Sequence, residues 1–174
     1  MADLSTRYRV VDTINDSLVV QGEDHTNIHR GVFFSSSDNE PILGDDTQEW
    51  MIRVTDSAHL RMTVSVAVDM LFDFYGGATI AATGTSMPVA NRNTFSSNTA
   101  STTCFVGPTV TDDGTPLLRV YIPAGGKQTA AGNYESFMEW VLSPGDYLIR
   151  VSNNIIAPAS AGRAGVILNF YEPV

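Results

Sequence analysis

Residues 60–69 read Leu60-Arg61-Met62-Thr63-Val64-Ser65-Val66-Ala67-Val68-Asp69. Leu60, Met62, Val64, Val66 and Val68 alternate with Arg61, Thr63, Ser65, Ala67 and Asp69. A period of two places one face of a strand in a core and leaves the other mostly polar. The next run, Met70 to Tyr75, is more apolar and stops at Gly76-Gly77. A break near Val68 or Asp69 makes the two runs a hairpin, although no Asn-Gly or Asp-Gly turn marks it. The same pattern recurs on both sides of this stretch. Cys104-Phe105-Val106 stops at Gly107-Pro108, and Thr109-Val110-Thr111 leads through Asp112-Asp113-Gly114-Thr115 into a strand from Leu117 to Ile122. An Asp-Gly pair between β-rich runs reads as a hairpin turn, because glycine accepts positive φ. Glu135 to Leu142 and Tyr147 to Asn153 flank Ser143-Pro144-Gly145-Asp146, a four-residue hairpin connection. The last strand, Val166 to Glu172, is partly apolar on both faces, which suits a central place in its sheet or a subunit contact.

Helix signals are nearly absent: no window of about 12 residues repeats apolar side chains at i, i+3, i+4 and i+7 without Gly, Pro or β-branched interruption. In the first 48 residues, short β-like pieces (Tyr8 to Val11, Ser17 to Gln21, Gly31 to Phe34) sit among polar linkers. Ser35-Ser36-Ser37-Asp38-Asn39, Gly44-Asp45-Asp46, Ala124 to Asn133 and the Ser/Thr/Asn-rich stretch Asn91 to Thr103 read as loops. About eight short strands with frequent turns predict an all-β fold, an antiparallel jelly-roll-like β-sandwich with an N-terminal arm. Residues 1–48 are assigned to the arm and 49–174 to the sandwich.

The balance of residues narrows the function. Hydrophobic residues make up 43% of the 174 and charged ones 17%, which suits a folded core rather than a disordered chain. The net charge is −9, with one lysine, Lys127, beside nine scattered arginines, so no nucleic-acid partner is expected. No apolar run is long enough to span a bilayer, and MADLSTRYRVVDTINDS carries no signal-peptide pattern, so no membrane association is expected. The single cysteine, Cys104, sits in an apolar strand and reads as a buried small hydrophobe rather than a nucleophile.

His25 and His29 form H-x-x-x-H, which on a helix puts both imidazoles on one face as a zinc site needs. Asp24, Asn27 and the β-branched Thr26 and Ile28 argue against a helix there, and Thr26 stands where a metalloprotease has its glutamate. A structural metal and a pH-sensitive interface are alternatives, but hydrogen bonding where the arm docks is the reading adopted, with no metal and no cofactor assigned. Glu135 and Glu139 share one strand face in a loose echo of a two-carboxylate glycosidase, and Asp112-Asp113 and Asp45-Asp46 suit turns. Trp140, Phe137, Tyr134 and Tyr147 could line a sugar platform, although large aromatics in sandwich strands usually belong to the core. No catalytic set emerges, and the chain is not expected to be an enzyme.

Five residue groups in order carry a resemblance: His29-Arg30-Gly31-Val32-Phe33-Phe34-Ser35-Ser36; Tyr75-Gly76-Gly77-Ala78-Thr79 with Pro88 and Asn91-Arg92-Asn93; Pro108 to Thr115 with Gly125-Gly126 after it; Glu139-Trp140-Val141-Leu142 followed by Asp146 and Tyr147 to Asn153; and Phe170-Tyr171-Glu172. Spread over residues 29–172, this set resembles a family of small virion structural proteins of tailed bacteriophages and prophages. Arg30 departs from it, standing where the pattern has an acidic residue. His25 has no place in the pattern, and the first 20 residues have no counterpart. The resemblance implies a virion β-sandwich, made in the host cytoplasm, that decorates or cements the outer surface of the head. Its implied partners are the major capsid protein, other virion proteins and further copies of itself, in a trimer or dimer. Asp24, His25, His29 and Arg30 are the candidate contact residues. The rival reading is a carbohydrate-binding sandwich on a virion appendage, with Trp140, Tyr134 and Tyr147 as its platform.

Overall fold

A computed structural model of the chain describes residues 10–12, 17–19, 23–123, 132–135, 139–153 and 161–172; for residues 10–12, 17–19, 23 and 132–135 it describes the backbone alone. In chain order the elements are β1 (Val10–Asp12), β2 (Ser17–Val19), α1 (Glu23–Arg30), β3 (Phe33–Ile42), β4 (Thr47–Val54) and β5 (Ala58–Val66). Then come β6 (Met70–Gly76), β7 (Thr79–Ala82), β8 (Thr85–Met87), β9 (Ala90–Asn91), β10 (Thr103–Val106) and β11 (Thr109–Asp112). The last five are β12 (Thr115–Ile122), β13 (Gly132–Glu135), β14 (Trp140–Leu142), β15 (Gly145–Ser152) and β16 (Gly162–Tyr171).

The alternation at residues 60–66 is fully realised. Every second residue of β5 from Ala58 to Val66 is buried and those between are half-exposed. β5 lies in a sheet ordered β13-β5-β16-β3-β9, with β14 also paired to β5. A second sheet runs β12-β6-β15-β4-β10-β8, and two-stranded ribbons β1-β2 and β7-β11 complete the set. All pairings are antiparallel. One core joins the two sheets: Leu60, Met62, Val64, Val66, Leu168, Phe170 and Phe34 from the first, and Trp50, Ile52, Phe72, Phe74, Ile149 and Val151 from the second. The all-β sandwich expected from the periodicity is the architecture observed, and β16 takes the central place its two apolar faces suggested, between β3 and β5.

The turns are where expected, but their strands pair elsewhere. β5 and β6 lie in different sheets, so residues 67–69 cross the sandwich instead of closing a hairpin. The Asp-Gly turn joins β11, in the ribbon with β7, to β12, beside β6. The turn at Ser143-Pro144 joins β14, on β5, to β15, between β4 and β6. Turn chemistry specifies local φ and ψ, not the partner strand. Gly114 shows this clearly: its φ is +81°, its N–H donates to Asp112 Oδ1 at 2.9 Å, and an added Cβ would lie 2.5 Å from the Gly76 carbonyl oxygen. Glycine is required there whichever strands the turn connects.

Three further readings change at the N-terminal side. Ser35 to Asn39, expected as a loop, forms the middle of β3, with Ser36 buried and Asp38 accepting a 2.7 Å hydrogen bond from Trp50 Nε1 across the sandwich. Its inward polar groups mask the strand alternation. Because β3 pairs along its whole length with β16, residues 33–48 belong to the sandwich and not to an arm. Residues 23–30 form α1 despite their weak propensities. Its end is a Schellman closure, with Gly31 N–H donating to Ile28 O at 2.9 Å, Val32 N–H to Asn27 O at 3.1 Å, and Gly31 at φ +70°. The later carbonyls are capped from a distant loop: Asn93 Nδ2 donates to His29 O at 3.2 Å, Asn98 Nδ2 to Arg30 O at 3.4 Å, and Asn91 Nδ2 to Gly31 O at 2.8 Å. Tertiary capping thus supplies what local propensity lacks.

Candidate functional site

Facing away from the core, the β5 sheet carries a registered row of side chains. Phe33 on β3, Tyr171 on β16, His59 on β5 and Val141 on β14 are successive cross-strand partners. Phe33 stacks on Tyr171 with ring centroids 6.4 Å apart, Tyr171 on His59 at 4.4 Å, and the Arg92 guanidinium lies 5.7 Å over the Phe33 ring. Such aromatic and cation–π pairs each contribute about 0.5–1.5 kcal/mol.

Charge gathers at the β5 end of this row. His59 Nδ1 is 2.5 Å from Glu139 Oε1, and the Tyr171 hydroxyl donates to the same oxygen at 3.0 Å. Two residues on, and so on the same face, Arg61 donates to Glu139 Oε2 at 3.0 Å and to Asp24 Oδ2 at 2.5 Å. Burial pushes the Glu139 carboxyl up, but the bonds from His59 and Tyr171 and the charges of His59 and Arg61 outweigh it, and its pKa lies below the usual value. Arg61 likewise stays above its ordinary value, because Asp24 and Glu139 overcome its desolvation. Glu139 is therefore held ionised, the reverse of what a glycosidic general acid needs. The cluster acts as a pin that ties the start of α1, the approach to β14, β5 and β16 together.

The expected two-carboxylate face is not formed as one strand. Glu135 closes β13, paired with Thr63, whereas Glu139 precedes β14, whose Trp140 pairs with Leu60. The Glu135 and Tyr134 side chains and Phe137 lie outside the described residues. Trp140 sets its edge against Phe74, with centroids 5.3 Å apart, and Tyr147 stacks on the same ring at 6.0 Å. Tyr147 is buried and donates its hydroxyl to Ser143 O at 3.0 Å. Trp140 and Tyr147 hence pack their rings against the core residue Phe74 and do not form a shared open platform.

Of the α1 residues singled out in the sequence, His25, His29 and Arg30 are exposed and Asp24 is half-buried against Arg61. The His25 and His29 rings meet at 4.4 Å between centroids. Sequence reasoning missed His59, Arg61 and Tyr171. The signal for the first two was present in the β5 alternation, which sends both outward on one face beside an apolar set facing in.

The opposite sheet carries a ladder of alternating charge on its outer face. Glu49 on β4, Arg150 on β15, Asp73 on β6 and Arg119 on β12 are successive cross-strand partners. Arg150 Nε donates to Glu49 at 2.6 Å and its other nitrogens grip Asp113 at 2.5 and 2.6 Å, while Arg119 Nε donates to buried Asp73 at 2.5 Å. Tyr75, Ala78 and Leu148 form a small second core on this face, packed against Ile80 and Val110 of the β7-β11 ribbon.

Near the end of α1 lie two open clefts. One, of about 530 Å³, is lined by Phe34, Met87, Asn98, Thr102 and Cys104 among others; the second, of about 540 Å³, by Gly31, Val32, Asp56, Asn98 and Glu172. Neither contains a histidine or a pair of facing carboxylates that are both unengaged: Glu172 accepts from Ser101 N–H at 3.0 Å and Thr102 N–H at 2.6 Å. Cys104 is completely buried and its thiol is pushed up to about 12 by desolvation, which the Ser36 hydroxyl only partly offsets. It is the inert residue expected from its strand.

No family model, curated protein or solved structure matches this chain. The residues and their geometry therefore carry the functional argument. No described group of three or more His, Cys, Asp or Glu residues is placed to hold a metal ion, and no described helix is long and apolar enough to cross a membrane.

Proposed function

We propose that the chain is a non-enzymatic structural protein of a phage virion, which decorates or cements the head by contacting neighbouring capsid subunits. The observation that carries this reading is how the five residue groups of the family resemblance meet in space. His29 to Gly31, Asn91 to Asn93 and Phe170 to Glu172 converge at the end of α1 through the asparagine caps, an Arg92 N–H bond to Phe33 O at 2.9 Å and a Glu172 N–H bond to Val32 O at 3.2 Å. Glu139 joins them through Tyr171. At the opposite sheet, Gly76-Gly77 close on Gly114, and Asp113 pairs with Arg150. Groups up to 140 residues apart, Val32 and Glu172, are joined by caps, turns and ion pairs, which are the contacts that define a fold and not a reaction centre.

The strand order supports the finer architecture we infer, a jelly roll. One sheet places β3, β16, β5 and the β13/β14 pair side by side, the other β4, β15, β6 and β12, and the connections β3-β4, β5-β6 and β14-β15 each pass from one sheet to the other. Edge strands such as β12, with Leu117 and Tyr121 partly exposed, are the kind of surface that oligomerisation covers, and a trimer or dimer is proposed. An acidic, lysine-poor exterior suits the outside of a head and not packaged DNA. The exposed α1 residues His25, His29 and Arg30, with Asp24 at their base, are the proposed contact to the shell. The packing of Trp140 and Tyr147 on Phe74 weighs against the carbohydrate-binding alternative.

A protein that binds only the assembled shell stabilises it by mass action. Particles assembled without this chain are expected to release their DNA at a lower temperature than complete ones, and added purified chain is expected to restore the difference. Equal release temperatures with and without the chain would overturn the proposal.

A further inference from the structure

We propose that His25 and His29 form a two-histidine chelate for a divalent transition-metal ion, with zinc as the probe of choice. The H-x-x-x-H spacing loses its meaning if residues 24–29 are extended, and the local propensities favour that state. The structure makes them helical. His25 and His29 stand one turn apart on α1, both exposed, with ring centroids 4.4 Å apart and planes inclined by 60°. Neither ring makes a hydrogen bond with the described residues, so each can turn a ring nitrogen to a shared ion. Two imidazoles on one zinc, with Zn–N bonds of about 2.0–2.1 Å, bring their donor nitrogens to about 3.3 Å from each other. Both side chains are exposed, and the observed ring separation places them within reach of a shared ion.

The helix that positions them is held at its end and not left to fray. The Schellman closure at Gly31 and the caps from Asn91, Asn93 and Asn98 fix the last turn, where His29 sits. The ion pair of Asp24 with Arg61 fixes the first. A preorganised i, i+4 pair therefore loses little conformational freedom on chelation. The third histidine, His59, is engaged with Glu139 and Tyr171 and takes no part. With two protein ligands, the remaining coordination positions belong to water.

Isothermal titration of the full chain with zinc chloride, in a buffer without chelating groups, tests the site. The expected result is saturable binding of about one ion per chain, weakened roughly tenfold or more in both His25→Ala and His29→Ala, whose exposed positions leave the fold intact by circular dichroism. Zinc is also expected to raise the melting temperature of the wild type and not that of the double variant. Absence of saturable binding, or binding that persists in the double variant, would overturn the proposal.

Discussion

Trp50→Ala is expected to lower the unfolding free energy by about 3–5 kcal/mol. The Trp50 ring is fully buried on β4 within the main core, and its Nε1 donates to Asp38 Oδ2 on β3 at 2.7 Å. It thus joins the two sheets by packing and by a hydrogen bond at once. Truncation leaves a cavity the size of an indole and removes the donor from a half-buried carboxylate. At roughly 2–4 °C per kcal/mol for a domain of this size, the melting temperature is expected to fall by about 6–20 °C. Trp50→Phe keeps most of the volume and loses only the donor, so it is expected to cost about 1–3 kcal/mol. Urea denaturation of both variants checks the ranking. Equal costs would mean that the hydrogen bond dominates, and a loss under about 1 kcal/mol for alanine would mean that the ring does not join the sheets.

Arg150→Met is expected to cost about 2–3 kcal/mol. Removing one partner from a buried ion pair costs about 3–5 kcal/mol, and partial exposure reduces that. The side chains of Arg150 and Glu49 are 20% and 18% exposed, and that of Asp113 is 40% exposed. Methionine keeps some packing on Tyr75, over which the guanidinium now lies at 5.5 Å, but leaves the Glu49 and Asp113 carboxylates without the cation both are bonded to. The effect depends on pH in a definite direction. The hydrogen bonds and charge of Arg150 hold the Asp113 carboxyl below its ordinary value of 3.8. A carboxyl with a lowered folded pKa contributes stability that is complete above the unfolded value and disappears as pH falls through the folded one. The gap between wild type and Arg150→Met is therefore expected to be full at pH 7 and to shrink below about pH 4. A gap that stays constant down to about pH 2.5 would assign the loss to packing on Tyr75 instead.

How far the sequence disclosed this molecule differs from element to element. β5 was legible because it turns a single apolar set toward the core, so period two survives, and β16 because apolar side chains on both faces mark a strand central in its sheet. β3 was not, because its inward positions include Ser36 and Asp38, and the Trp50 bond that Asp38 accepts comes from the other sheet, which no local pattern records. The turns at Gly114 and Gly145 were legible from glycine and its neighbours, but strand partners were not. Each turn connects sheets, and the choice of sheet is decided by where the apolar faces meet. α1 was misread for a related reason. Gly31 after His29-Arg30 is a helix-end signal in the sequence, but the asparagines that complete the cap lie 60 or more residues away.

The candidate site followed the same division. Asp24, His25, His29 and Arg30 were picked out together and do share one short helix. The His59-Arg61-Glu139-Tyr171 cluster was not picked out as a unit, because it is assembled by register across β16, β5 and the approach to β14. The sequence sets Glu139 beside Glu135, its near neighbour, whereas its partners His59, Arg61 and Tyr171 stand on strands distant along the chain. Cross-strand register is the information that a single sequence lacks, and it organises both outer faces of this sandwich.

The proposed place of this fold is a virion head. Immunogold labelling of intact particles, with antibody raised against this chain, tests it most directly. Gold distributed over the head is the predicted result. Gold confined to the tail, or particles that carry no label while the purified chain is recognised, would contradict it.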